Sequence, residues 1–455
     1  MNNKITLPKL VVIGGDAAGM SAASKVRREQ PEREILVFEK SRYTSYSACG
    51  IPYFISETVP EVEDLIVRSP EEFRNKYNID VKTLHEVTAV DTENKRVKVL
   101  DIGNQTEFWE DYGQLLIATG AKAYCPDVEG YGAEGIFGVS TLKSGIKVEN
   151  FIEYKKPKTA VIVGGGYIGL EMAEALLIRG LKVTIINRGS HVMNTLDPDM
   201  GNKISEAIRS LDITLYCNEG LKRFKTEDGK VTGVISDNRE IEADMVILGM
   251  GSSPNTGFLK GSGIALGVKD AIKVNGRMQT NIEDVYAAGD CTETLDLVSK
   301  KHTHIALGTI ANKTGLVVGS NLAGENITFP GAVGTAVCKL CKYEVARTGL
   351  RERDLEKLEI EYVAASINSK TRAHYYPGAK DITVKLLAEK NSGRLLGGQI
   401  IGEEGAAKRI DVIATALTYN LTLQNIIDLD LSYAPPFSPV WDPVQTAARH
   451  LIKQI

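Results

Sequence analysis

Two glycine turns, about 150 residues apart, constrain this 455-residue chain more than any other feature. The first lies in KLVVIGGDAAGMSAASKVRREQPEREILVFEK. There LVVI reads as a short buried strand, and Gly14, Gly15 and Gly19 make a turn. Ala17, Ala18, Ser21, Ala22 and Ala23 keep the following helix thin, and ILVFE is a second strand ending at Glu39. This order predicts a strand–turn–helix–strand unit that seats a pyrophosphate on helix N–H groups. Glu39 stands where an acceptor for ribose hydroxyls is expected, with Lys40 beside it. Asp16 takes the place of the second glycine, so this copy is imperfect. The second copy, AVIVGGGYIGLEMAEALLIRGLKVTIINRG, carries Gly164, Gly166 and Gly169 in full G-x-G-x-x-G spacing. One such turn is an ordinary strand–helix connection. Two in one chain predict two dinucleotide sites.

The second strands of the two copies end differently. Asn187-Arg188 replaces the acidic residue of the first copy, and an arginine there suits a 2′-phosphate. The second site therefore leans towards NADPH, or accepts both nicotinamide cofactors. Two further strands end in small residues: QLLIATGAKA in Ala118, Thr119 and Gly120, and NIEDVYAAGDC in Gly289 and Asp290. Gly289 allows close backbone approach, and Asp290 can accept from a polyol hydroxyl. The helical segment HIALGTIANKTGLVVGSNLAG follows, with an N-terminus suited to an anionic ring.

Hydrophobic residues make up 43% of the chain, charged residues 25%, and the net charge is −4. The length predicts about three domains. No basic surplus advertises a nucleic acid. No run is long and apolar enough to span a membrane. The opening MNNKITLPKLVVIGG lacks the basic start and long apolar core of a secretory leader, so a cytoplasmic protein is expected. Six scattered cysteines suit a reducing compartment. Cys338 and Cys341 form a C-x-x-C, but no second pair or nearby histidine completes a zinc site, and no metal is expected.

With these motifs in order, the chain resembles the FAD-dependent pyridine nucleotide-disulfide oxidoreductases over nearly its whole length. The resemblance implies an α/β fold: two Rossmann-like domains, for FAD and NAD(P)H, and an α+β C-terminal dimerisation domain. The implied domains are 1–121 with 249–329 for FAD, 122–248 for NAD(P)H, and 330–455 for the homodimer interface. Gly14, Gly15, Ala18, Gly19, Glu39, Lys40, Ala118, Thr119, Gly120, Gly289 and Asp290 would then serve FAD. Gly164, Gly166, Gly169, Asn187 and Arg188 would serve NAD(P)H.

Family members of the glutathione-reductase type carry C-x-x-x-x-C after the first nucleotide strand. Here the segment is SYSACGIPY, with Cys49 alone and Ser45 in the region of a partner. That resembles the single-cysteine branch: coenzyme A-disulfide reductases, NADH oxidases and peroxidases, and polysulfide or persulfide reductases. A cysteine just before a helix, with Pro52 in its first turn, is expected to have a lowered thiol pKa. With no partner cysteine, its oxidised form is a mixed disulfide, a persulfide or a sulfenic acid. Oxidase and peroxidase members carry a histidine where this chain has Ala17, which weakens oxygen or peroxide chemistry as its main task.

HYYPGAK and DLSYAPPFSPVWDPV resemble segments of coenzyme A-disulfide reductases. The resemblance implies that Tyr375 and Tyr433 reach across the dimer to the partner's cysteine. Lys408 and Arg409 are expected to be structural. Lys25, Arg28 and Arg68 match coenzyme A contacts, while Ala48 departs from an asparagine found before the cysteine in that branch. The expectation is an NAD(P)H-dependent reductase of coenzyme A disulfide or persulfide, using Cys49, Tyr433 and Tyr375, with Ser45 near the substrate. Polysulfide reduction, NADH oxidation and slow-turnover redox sensing are the alternatives.

Overall fold

The computed structural model describes residues 7–455. Leu10–Ile13 is buried along its whole length, as a parallel strand covered on both faces must be. It pairs parallel with Ile35–Glu39 and Gln114–Ile117. Asp80–Thr83 and Val285–Ala287 complete the five-stranded sheet at its two edges. The last strand comes from far downstream, so this sheet closes only after a second unit has been inserted.

That second unit repeats the plan. Ile213–Cys217, Lys182–Asn187, Thr159–Val163, Met245–Leu248 and Ile136–Gly138 form a second five-stranded parallel sheet. Ala121–Ala123 pairs antiparallel with Ser252–Pro254 where the chain passes between the two units. Helix Ala17–Glu29 lies on helix Gly308–Leu322 through small residues. A Cβ on Gly315 would come within 2.4 Å of the Ala18 carbonyl oxygen.

The third sheet is antiparallel, in the order Ala336–Leu340, Tyr343–Gly349, Leu395–Gly402, Asp381–Glu389, Tyr362–Lys370. Helices Ala406–Thr418 and Pro443–Leu451 cover it, with Leu386, Ile400, Ile413, Leu417 and Ala447 in the core between them. Lys385 fastens this sheet to the second unit. Its ammonium lies 3.2 Å from Asp197, 2.7 Å from Asp199 and 3.1 Å from Glu352. The fold class read from the sequence is the one observed.

Among the described residues, no helix is long and apolar enough to cross a membrane. All six cysteines are free thiols. Cys338 is buried in its strand, and Cys341 sits in the tight turn after it with φ +52°. Burial pushes both thiols up. Among the described residues, two acidic clusters are tight enough for a metal, Glu57–Glu149–Glu153 and Asp197–Asp199–Glu352. Each is bridged by a protein cation, Arg179 in the first and Lys385 in the second.

Candidate active site

The first glycine turn is built around contacts that no side chain allows. Gly14 has φ +106°, and a Cβ there would lie 2.2 Å from the Ala118 carbonyl oxygen. A Cβ on Gly19 would lie 2.0 Å from the carbonyl oxygen of Gly14. Helix Ala17–Glu29 therefore starts tight against the strand ends, with Ala18 buried beneath it. The Glu39 carboxylate accepts from the N–H groups of Gly15 (2.9 Å) and Ser41 (2.8 Å). It keeps lone pairs for a ribose. Lys40 is exposed beside it. Thr119 donates its hydroxyl to the Asn255 carbonyl at 2.8 Å, fixing the Ala118-Thr119-Gly120 turn.

Asp290 closes this cradle. Gly289 before it has φ +80°, and a Cβ there would lie 3.0 Å from that of Ala18. His304 donates from Nε2 to the Asp290 carbonyl at 2.8 Å. Burial holds the Asp290 carboxyl above the usual range, against the lowering influence of His304 and of the Leu307 N–H at the start of helix Gly308–Leu322. Oδ1 of Asp290 is buried with no hydrogen-bond partner among the described residues. A buried acceptor left unpaired is costly, and a polyol hydroxyl would satisfy it.

The second turn has the same geometry. Gly164 has φ +106°, with a Cβ only 2.4 Å from the Gly249 carbonyl oxygen. A Cβ on Gly169 would lie 2.0 Å from the Gly164 carbonyl oxygen. A Cβ on Gly166 would meet nothing closer than 3.9 Å, which leaves open room at the helix start. Oδ1 of Asn187 accepts from the Gly165 N–H at 3.1 Å, the bond that Glu39 makes in the first copy. Its Nδ2 donates to the carbonyls of Gly189 and His191. A neutral amide thus stands where the first site has a carboxylate. Arg188 is exposed next to it.

Cys49 lies in a one-turn helix, Ala48–Gly50, that runs into helix Ile51–Ile55 with Pro52 in its first turn. The loop before it is fastened to the first glycine turn. Ser45, at φ +48°, donates its N–H to the Gly15 carbonyl at 3.0 Å. The Tyr46 N–H donates to Oδ1 of Asp16 at 3.1 Å. C-x-x-x-x-C spacing falls on Thr44 rather than Ser45, and Thr44 is buried with its hydroxyl on the Arg68 carbonyl.

The expected lowering of the Cys49 thiol is not found. Desolvation by the surrounding protein, then Glu171, Asp290 and Asp16, push it up. The helix after it has only five residues, too short for a strong dipole. Glu171 is the residue that sequence reasoning missed. It lies on helix Tyr167–Ile178, which packs on Ile51–Ile55, and burial raises its carboxyl to about 7. Its charge acts on Cys49, Tyr53 and Cys338. In the sequence it is only one more helix residue of the second nucleotide unit.

The remaining candidates are spread out. Lys25 pairs with Glu29 and Glu325, each at 2.8 Å. Arg28 is exposed, and the Arg68 guanidinium lies 5.0 Å from the Tyr77 ring centre. Tyr375 and Tyr433 come together: the Tyr375 side chain acts on the Tyr433 hydroxyl and pushes its pKa up, and the Ala373 N–H donates to the Pro435 carbonyl at 3.2 Å, joining their loops. Both are exposed, on a face that also presents Phe437, Val440 and Trp441. Arg409 joins the two loops through Asp442 and the carbonyls of Thr371 and Phe437. Lys408 pairs with Asp411 at the surface.

Residues 8–315 match the family described as pyridine nucleotide-disulphide oxidoreductase, and 335–443 match its dimerisation domain. The NAD(P)H sulfur oxidoreductase (CoA-dependent) of Pyrococcus abyssi is 40% identical over 443 residues, 97% of this chain and 98% of that protein. The coenzyme A disulfide reductase of Staphylococcus haemolyticus is 33% identical over 431 residues, 94% of this chain and 96% of that one. A solved NAD-dependent persulfide reductase from A. fulgidus superposes with a TM-score of 0.94 at 37% identity. That match covers 97% of this chain and 82% of the other. The two glycine cradles, the unpaired Asp290 oxygen and the open helix start at Gly166 fit the two nucleotides that such enzymes use. The chain belongs to the pyridine nucleotide-disulphide oxidoreductases, enzymes that work with FAD and NAD(P)H.

Proposed function

We propose that this enzyme reduces coenzyme A disulfide or coenzyme A persulfide with NAD(P)H, as a homodimer, through Cys49. The solitude of the cysteine carries the reading. Cys49 is exposed beside the first cradle, and Thr44 stands where a partner cysteine would be. The other half of the disulfide must come from the substrate. FAD, when bound, takes a hydride from NAD(P)H and passes two electrons to sulfur.

The Cys49 thiolate attacks one sulfur of the incoming S–S bond. That bond breaks, a Cys49–substrate disulfide forms, and the first thiolate takes a proton and leaves. Two electrons then break the mixed disulfide, Cys49 returns to thiolate, and the second thiolate leaves with its proton. Tyr433 and Tyr375, from the second subunit, donate to the leaving sulfur without adding charge. The closeness of the two exposed tyrosines and the exposed apolar side chains of Phe437, Val440 and Trp441 support this arrangement. Desolvation by the surrounding protein and three carboxyls hold the Cys49 thiol up, so substrate and cofactor binding must supply the bias towards thiolate.

Arg28 offers an exposed guanidinium to the phosphates of coenzyme A, and Arg68 is the second cation of this reading. Lys25 joins them only by releasing Glu29 and Glu325. Asn187 and Arg188 favour NADPH, because no carboxylate stands there to repel a 2′-phosphate. The working units are 1–121 with 249–329, 122–248, and 330–455. Polysulfide reduction is the second reading. It uses the same thiol, and the Pyrococcus abyssi relative is named a sulfur oxidoreductase. The test is anaerobic: reduce the holoenzyme with NADPH or NADH, then offer coenzyme A disulfide, polysulfide or oxygen. Rapid flavin reoxidation by coenzyme A disulfide is expected. Reoxidation by oxygen alone would overturn the proposal in favour of an oxidase, and no steady turnover with any acceptor would point to a sensor.

A further inference from the structure

Asp16 is the one departure in the first glycine turn that cofactor binding does not explain. Its position, at the start of helix Ala17–Glu29, is where the second glycine of the fingerprint leaves room for a pyrophosphate. A carboxylate in that place opposes a phosphate by charge. It is also not used as a helix cap, since its side chain makes no capping bond to the helix. Instead Oδ1 turns towards the cysteine loop and accepts from the Tyr46 N–H at 3.1 Å.

The neighbouring bonds make this contact part of a clamp. Ser45 holds φ +48°, a left-handed conformation that a non-glycine residue adopts only when its surroundings require it. Its N–H donates to the Gly15 carbonyl at 3.0 Å, and its carbonyl accepts from the Val67 N–H at 2.8 Å. The Ser47 N–H donates to the Leu65 carbonyl at 2.8 Å. Consecutive residues 45 and 46 are thus gripped by consecutive residues 15 and 16. Cys49 follows three residues later. We propose that Asp16 is a positioning residue: it fastens the Cys49 loop to the flavin turn and so sets the sulfur's distance and orientation to the flavin.

The clamp has an electrostatic side. The groups that act on the Asp16 carboxyl are Glu39, at the end of its strand, and Asp290, after the strand Val285–Ala287. Both are acidic. Burial is the larger cause, and with these two carboxyls it outweighs the Tyr46 and Ala17 N–H groups and raises Asp16 to about 7. Asp16 in turn acts on Cys49, together with Glu171 from helix Tyr167–Ile178. As Asp16 ionises near pH 7, it strengthens its bond to the Tyr46 N–H and also opposes formation of the Cys49 thiolate. Position and thiol acidity therefore answer to one side chain.

This inference rests on Cys49 being the redox sulfur, but not on which disulfide it reduces. Two variants of the FAD-loaded enzyme test it. Asp16→Gly restores the fingerprint residue and opens the clamp. Asp16→Asn keeps an acceptor for the Tyr46 N–H and removes the charge. Each is assayed anaerobically with NADPH for turnover of coenzyme A disulfide and of a dye that takes electrons directly from flavin. Cys49 alkylation by iodoacetamide is followed against pH. The ratio of disulfide to dye turnover falls at least about ten-fold in Asp16→Gly, a loss on the scale of one charge-assisted hydrogen bond. It stays within about three-fold of wild type in Asp16→Asn, whose alkylation profile moves to lower pH. An unchanged ratio in Asp16→Gly overturns the proposal, as does an Asp16→Asn variant with an unmoved profile or a ratio that falls as far. Failure of the wider reading looks different: the Cys49→Ser enzyme would still turn over the disulfide.

Discussion

Replacing Lys385 by Met tests how the third unit is held to the second. The Lys385 side chain is 4% exposed, and its ammonium contacts three carboxylates at 2.7–3.2 Å. One of them, Asp197, is itself buried. Burial opposes the charged ammonium, but the acidic neighbours win and its pKa is raised. The stability this group contributes is therefore fully present below its ordinary pKa near 10.5 and is lost only as pH rises past the folded value. Lys385→Met leaves the carboxylates facing one another without a cation. Removing one partner from a buried ion pair costs about 3–5 kcal/mol. Two bonds to Asp197 survive, from Gln399 Nε2 at 2.7 Å and the Glu352 N–H at 3.0 Å, so the lower end applies. For a cooperative unit of 150–250 residues, roughly 2–4 °C accompanies each kcal/mol. Scanning calorimetry at pH 7 should show the transition lowered by about 6–12 °C, with Lys385→Arg recovering part of it. A Met variant that melts within 2 °C of wild type would refute the weld.

Other substitutions follow from the same geometry. Gly169→Ala puts a Cβ 2.0 Å from the Gly164 carbonyl oxygen, so helix Tyr167–Ile178 must move off the turn. Stopped-flow flavin reduction by NADPH should slow about a hundred-fold while FAD content per chain is kept. Asp290→Ala removes a buried acceptor, and a hydrogen bond to a charged group is worth about 1.5–3 kcal/mol. FAD binding followed by fluorescence should weaken about ten- to hundred-fold, and unchanged affinity would remove Asp290 from the cradle. The Glu171 carboxyl is raised to about 7, so the folded protein holds a proton there that the unfolded chain releases above its ordinary value of 4.5. Its contribution to stability is full below that value and is lost as pH rises through 7. Glu171→Gln apoprotein should melt above wild type at pH 8 and level with it at pH 4.

The glycine turns were readable because their chemistry is local. LVVI and ILVFE are continuous buried runs, and Gly14, Gly19, Gly164 and Gly169 each sit where one added carbon would collide with backbone. The contrast between Glu39 and Asn187 was equally local, since each residue ends a strand and accepts from its own glycine turn. The surroundings of Cys49 were not local. Glu171 reaches it only because the second unit's helix packs on Ile51–Ile55. The expected thiolate-stabilising dipole failed because the helix proved to be a single short turn among carboxyls. Asp16 looked like a defect in a fingerprint until its bond to Tyr46 was visible. Lys25 matched a coenzyme A contact by resemblance, yet it is paired with Glu325, which comes from the far end of the first unit.

Cys49→Ser is the measurement closest to the centre of this account. The variant should keep its FAD, and NADPH should reduce that flavin at close to the wild-type rate, because the cysteine is not part of either nucleotide cradle. Coenzyme A disulfide turnover, measured anaerobically, should fall by at least about a thousand-fold, since a hydroxyl cannot form the mixed disulfide. A Cys49→Ser enzyme that still reduces coenzyme A disulfide at a comparable rate would contradict the single-cysteine mechanism outright.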